Sequence, residues 1–109
     1  MANWSSSKTT GSLSASIAGS TTPKVYNVSA SIASTEYSQA LSANTKQFII
    51  QVRGGSAKMR VGFAVGESTT NYITVEYGVS MCQQGLDFGG TLYFQTNKAS
   101  QIVEILEWT

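Results

Sequence analysis

Chemistry in this 109-residue sequence has to be sought first among its acids, because it contains no histidine. Without imidazole the commonest general base is missing, as are the commonest zinc ligand and the partner that activates a serine or cysteine nucleophile. The six acids are Glu36, Glu67, Glu76, Asp87, Glu104 and Glu107. A glycosidase needs two carboxyl groups about 5–10 Å apart across a cleft. Glu104 and Glu107 are the only close pair, and on a strand their odd separation sends them to opposite faces. A distant pair such as Glu76 with Glu104 stays open at this level. Calcium binding would need clustered oxygen ligands, which the sequence lacks, and "GGSAK" does not have phosphate-loop spacing. The single cysteine, Cys82, sits in "VSMCQQ" and reads as a small buried hydrophobe. The expectation is a non-enzyme with no catalytic residue, no metal ligand and no cofactor.

Aromatic residues are the remaining ligand platform. Tyr72, Tyr77, Tyr93, Phe94 and Trp108 would stack sugars if they emerged on one face, although strand aromatics more often serve cores and interfaces. The seven cations are spread along the chain for a net charge of +1. Nucleic-acid binding normally requires a concentrated basic surface. Arg53, Lys58 and Arg60 flank one turn and read best as a solvated hairpin end, so no nucleic-acid partner is expected.

Charged residues make up only 12% of the chain against 41% hydrophobic ones. That is about half the usual charged share, so polarity is carried by hydroxyls and amides. Burying an amide or hydroxyl against a partner costs less than burying an ion. The composition therefore favours life in an assembly. No segment approaches the ~20 apolar residues of a membrane span, and no apolar run suits a signal peptide. One cysteine excludes an intramolecular disulfide and fits a reducing compartment.

The elements divide into two parts. Residues 1–22 are half Ser and Thr and contain Trp4, Leu13 and Ile17. Alone they cannot bury enough apolar surface to offset ordering entropy. They read as a disordered tail or as an extended arm laid across a neighbour, with Trp4 as its anchor. Residues 23–109 follow period two. Tyr26, Val28, Ala30 and Ile32 mark one strand, and "TEYSQAL" a second. "QFIIQVR" puts Phe48, Ile50 and Val52 on one face, and "GGS" turns the chain back. "AKMRVGFAV" puts Met59, Val61 and Phe63 inward, with Lys58 and Arg60 outward. "YITVEYG" sets Ile73, Val75 and Tyr77 against Tyr72, Thr74 and Glu76. A short strand around Val79–Gln83, a turn at Gly85 and a run through Leu86 and Phe88 precede "TLYFQT" and "QIVEILEW". Seven or eight short strands predict an all-β antiparallel sandwich, jelly-roll or immunoglobulin-like, with an extended N-terminal arm. No window shows helical periodicity.

The last strand is apolar on both faces. Ile102, Leu106 and Trp108 share one side with Glu104, while Val103 and Ile105 share the other with Glu107. A two-layer sandwich needs that only where the outer face is covered as well. Ile102, Leu106 and Trp108 are therefore the candidate oligomer interface, covered by another subunit or by the arm.

Over residues 37–109 the sequence resembles small bacteriophage virion proteins, in particular β-sandwich head-decoration or cement proteins. The resemblance is carried by "ALSANTK", the two strands that follow, "LDFGGTLYFQ" and the terminal "VEILEW". It implies a non-enzymatic, disulfide-free protein, made in the host cytoplasm and mounted in many copies on the virion surface. The implied partners are the major capsid protein and other copies of the chain, as a homotrimer or another homo-oligomer, with no membrane contact. The arm, through Trp4, Leu13 and Ile17, would then touch the capsid or an adjacent copy. The alternatives are a tail, collar or fibre-base component and a carbohydrate-binding module for host recognition.

Overall fold

Side chains that alternate between apolar and polar can satisfy a pleated sheet whose two faces meet different surroundings. The computed structural model describes residues 22–109, the side chains of residues 85–87 excepted. Its strands are β1 (Pro23–Ala30), β2 (Tyr37–Ala40), β3 (Thr45–Val52), β4 (Met59–Gly62), β5 (Ile73–Val75), β6 (Ser80–Phe88), β7 (Thr91–Thr96) and β8 (Gln101–Trp108). They form two four-stranded antiparallel sheets, a first ordered β1-β8-β3-β6 and a second ordered β2-β7-β4-β5. The fold is the all-β antiparallel sandwich expected from the sequence.

Strand order also separates the two sandwich types. β1 pairs with β8, β2 with β7, β3 with β6 and β4 with β5. The chain is thus one long antiparallel hairpin with its tip between β4 and β5. Rolling that hairpin places successive strand pairs alternately in the two sheets, and the pairings β3–β8 and β4–β7 sew the roll together. This nesting is a jelly roll, not the seven- or nine-stranded immunoglobulin arrangement.

The two inner faces hold the core. Phe48, Ile50 and Val52 of β3 and Val103 and Ile105 of β8 meet Met59 and Val61 of β4 and Leu92 and Phe94 of β7, all buried. Complete burial of each such side chain is worth roughly 1.5–3 kcal/mol relative to exposure. Tyr26 and Val28 extend the core from β1, and Tyr37 from β2.

Several local expectations are corrected. "GGS" does not make a hairpin, because β3 and β4 lie in different sheets. Gly54 and Gly55, at φ 76° and 65°, bend the chain from one sheet to the other. The polar segment between β7 and β8 crosses in the same way. No turn occurs at Gly85. β6 runs on to Phe88, and the extra residues are absorbed as a register shift opposite Thr45–Gln47. Phe63 lies beyond β4 and is 41% exposed, although its ring still meets Phe48 and Phe88 at 6.4 and 5.8 Å between centroids. A single-turn helix, α1 (Glu67–Thr70), forms within "GESTTN".

That helix is built from side-chain acceptors. The Glu36 carboxylate accepts the N–H groups of Gly66 (2.9 Å) and Ser68 (3.3 Å) and the Ser68 hydroxyl (2.6 Å). The Ser68 hydroxyl bond is the main reason its carboxyl is held below the ordinary value, with the two backbone donors adding to it against desolvation. Glu67 turns back to accept the Phe63 N–H at 2.7 Å. Its Cβ would stand 2.3 Å from a Cβ at position 62, so only glycine admits the turn there.

Candidate docking surface

The strand register decides which side chains share the outer face of the first sheet. Val103, Ile105 and Glu107 point inward from β8, so Ile102, Glu104, Leu106 and Trp108 point outward. All four outward residues keep intermediate exposure in the isolated chain. One cross-strand row reads Val25, Leu106, Ile49 and Cys82, from β1 through β8 and β3 to β6. Val25 is 62% exposed on this row. The next row toward the chain's end is Pro23, Trp108, Gln47 and Gln84. On the other side run Asn27, Glu104, Gln51 and Ser80, followed by Ser29 with Ile102.

The sequence therefore paired Ile102, Leu106 and Trp108 on one face, and the structure adds Val25 and Ile49 beside them. These two could have been found from their own strands, since each is the apolar exception on a polar face. A shallow groove of about 300 Å³ runs between them, lined by Val25, Asn27, Ile49, Gln51, Glu104 and Leu106.

Among the side chains described on this face there is one acid, and it is neutralised where it stands. Glu104 accepts from Gln51 Nε2 at 2.8 Å and from Arg53 Nε at 2.7 Å. The Gln51 bond first, and the guanidinium second, hold its carboxyl below the ordinary value. An exposed pair of this kind contributes little to stability. Its consequence here is electrostatic: the apolar rows are bordered by a polar row with no net charge.

Cys82 is exposed, correcting the expectation of a buried thiol. Met81 takes the inward position opposite Ile50, which sends Cys82 outward opposite Ile49. Gln47 Nε2 lies 3.7 Å from its sulfur. The two close acids do face opposite ways, as Glu107 is fully buried and Glu104 lies on the outer face. Glu76 stands beside the second sheet, so it does not share a cleft with Glu104. Among the described residues, no group of three or more His, Cys, Asp or Glu is placed to hold a metal ion. No described helix is long and apolar enough to cross a membrane.

Tyr72 and Tyr77 are exposed at the second sheet, whereas Tyr93 is half-buried on β7. Trp4, Leu13 and Ile17, the candidate arm contacts, lie outside the described residues. No protein family, curated protein or solved structure matches the chain.

Proposed function

We propose that the protein is a non-enzymatic structural subunit that self-associates through the outer face of its first sheet and, as a homo-oligomer, decorates and stabilises a bacteriophage capsid. The observation that carries the reading is the row Val25–Leu106–Ile49, flanked by Trp108 and Ile102 and bordered by Glu104, which is already paired. Where the apolar rows and their neutral border meet a second copy no charges are opposed, and the apolar rows supply the driving force. A second copy is thus the occupant this face suits. The capsid setting rests on the resemblance of "ALSANTK", "LDFGGTLYFQ" and "VEILEW" to head-decoration proteins.

In this reading Trp4, Leu13 and Ile17 of the arm reach the major capsid protein. Each capsid contact stays modest, and joining copies makes later contacts intramolecular and raises avidity. The test is the solution mass by light scattering over a range of concentrations. A stable oligomer is expected, and a monomer at every concentration would overturn the interface. The setting is tested separately by copy number in purified virions. A number matching the capsomer lattice is expected, and one matching a tail ring would overturn capsid decoration.

A further inference from the structure

The opposite face of the molecule carries a second concave surface of a different chemistry. Alternation again sets its members. On β4 Arg60 points away from the core, between inward Met59 and Val61, and its register partners are Gln95 on β7 and Thr74 on β5. Together with their flanking residues these outward positions line an open cleft of about 280 Å³, with Lys58, Tyr72, Glu76 and Asn97 around it. The volume lies just below the ~300–1,000 Å³ usual for ligand pockets, which suits a single sugar unit and its substituents.

Cations and aromatic rings are interleaved here. The Arg60 guanidinium stands 4.6 Å from the centroid of the Tyr72 ring. Lys58 and Lys98 place their ammonium groups 6.0 and 5.6 Å from the Tyr77 ring. Asn97 ties the two sides, donating from Nδ2 to the Tyr77 hydroxyl at 3.1 Å and accepting the Lys58 N–H at 2.9 Å. Among the described residues no carboxylate pairs with Lys58, Arg60 or Lys98, so they keep their charges for something else. The cleft's own acid is Glu76, which leaves cations in excess.

Gln95 forms part of the floor and is only 6% exposed. Its Nε2 is used up by the Ser68 carbonyl at 3.0 Å and the Thr69 hydroxyl at 3.1 Å. Its Oε1 has no donor among the described residues. A buried side-chain amide lining a cleft is a group that a ligand hydroxyl can pair with.

We infer that this cleft binds an acidic carbohydrate, a sugar unit bearing a carboxylate. Lys58 and Arg60 take the carboxylate, the Tyr72 ring takes an apolar sugar face, and Gln95 and Thr74 take hydroxyls. Simple anions would use the cations but not the rings, and neutral sugars the reverse. Two lining cations, with Lys98 near the Tyr77 ring, fall well short of the basic stripe that a nucleic-acid backbone needs. The site lies on the sheet opposite the docking face, so the two readings stand or fall separately.

The experiment is a backbone-amide NMR titration of the full chain with 3′-sialyllactose and a galacturonate trimer, alongside lactose and inorganic phosphate. Saturable shifts confined to residues 58–60, 72–77 and 95–97 are expected with at least one acidic sugar. Lactose and phosphate should bind at least ~10-fold more weakly, a difference of about 1.4 kcal/mol. Arg60→Ala should weaken the acidic sugar at least ~10-fold while the rest of the spectrum stays unchanged. Lactose binding as well as sialyllactose would overturn the acidic assignment. Phosphate binding as well at the same amides would reduce the cleft to an anion patch. Absence of saturable shifts with both acidic sugars would overturn the site.

Discussion

Glu107 and Ser42 are 65 positions apart, and the carboxylate of one receives both donors of the other inside the sandwich. Oε1 accepts the Ser42 N–H at 2.9 Å and Oε2 accepts the Ser42 hydroxyl. The Thr45 hydroxyl donates to the Ser42 carbonyl at 2.7 Å and lies 3.4 Å from Oε1. Glu107 is fully buried, and these donors satisfy its carboxyl group, so it fastens the β2–β3 connection to the last strand.

Removing that carboxylate should leave the Ser42 donors unsatisfied and a void beside them. Glu107→Ala is expected to cost about 2–4 kcal/mol, combining unmet donors with lost packing. Glu107→Gln keeps one acceptor and should cost roughly half as much. Urea unfolding measures both. A loss below about 0.5 kcal/mol for the alanine variant would place it among ordinary surface substitutions and contradict the buried role.

Association through the first sheet makes a separate prediction. Leu106→Lys puts an unpaired charge in the centre of the apolar row while leaving the inward face of β8 untouched. The variant should fold with stability within about 1 kcal/mol of the parent, since the change lies outside the core. Its oligomer should dissociate at least ~30-fold more readily, as an interface that buries an unpaired ammonium loses several kcal/mol. Sedimentation of parent and variant at matched concentration gives the comparison. Equal masses would mean that this face is not the contact.

These two residues also mark what the sequence could and could not reveal. The phase of β8 was legible, because Val103, Ile105 and Glu107 alternate with Ile102, Leu106 and Trp108 whatever the partner strands are. That Glu107 finds its hydrogen-bond partners in the interior was not legible. Its donors come from "ALSANTK", and only the rolled hairpin brings that loop to the end of β8. The "GGS" arch reads as a hairpin for a related reason: a short glycine-rich connection fits either, and the choice depends on which sheet receives the next strand. Cys82 went the same way. "VSMCQQ" has too little alternation to set its phase, and Met81 won the inward place only through its pairing with Ile50. The acid of the docking face was visible in sequence, but its neutralisation by Arg53 depended on two strands becoming neighbours.

Acidification should act through Glu36. Its carboxyl is held below the ordinary value near 4.5 by the Ser68 hydroxyl first and by the Gly66 and Ser68 N–H groups after it. A folded-state value below the unfolded one contributes stability that is fully present above the unfolded value and is lost as pH falls through the folded one. Glu36→Gln should therefore be less stable at about pH 7, by about 1 kcal/mol as for a lost helix cap, and the gap should be smaller at a pH below the ordinary value of 4.5. Urea midpoints at the two pH values provide the check. A gap of constant size would mean that the substitution acts through packing and not through charge.

Cys82 offers a direct reading of whether the docking face is covered. It lies on the same row as Ile49, Leu106 and Val25, and its side chain is exposed in the single chain. A thiol reagent such as dithionitrobenzoate should label it readily in dilute protein, without denaturant. If copies meet through this row, labelling should slow as concentration rises, by about the fraction of protein assembled. Leu106→Lys should restore the fast rate at high concentration. Labelling that stays equally fast while light scattering reports an oligomer would show that the copies join elsewhere and leave this row open to solvent.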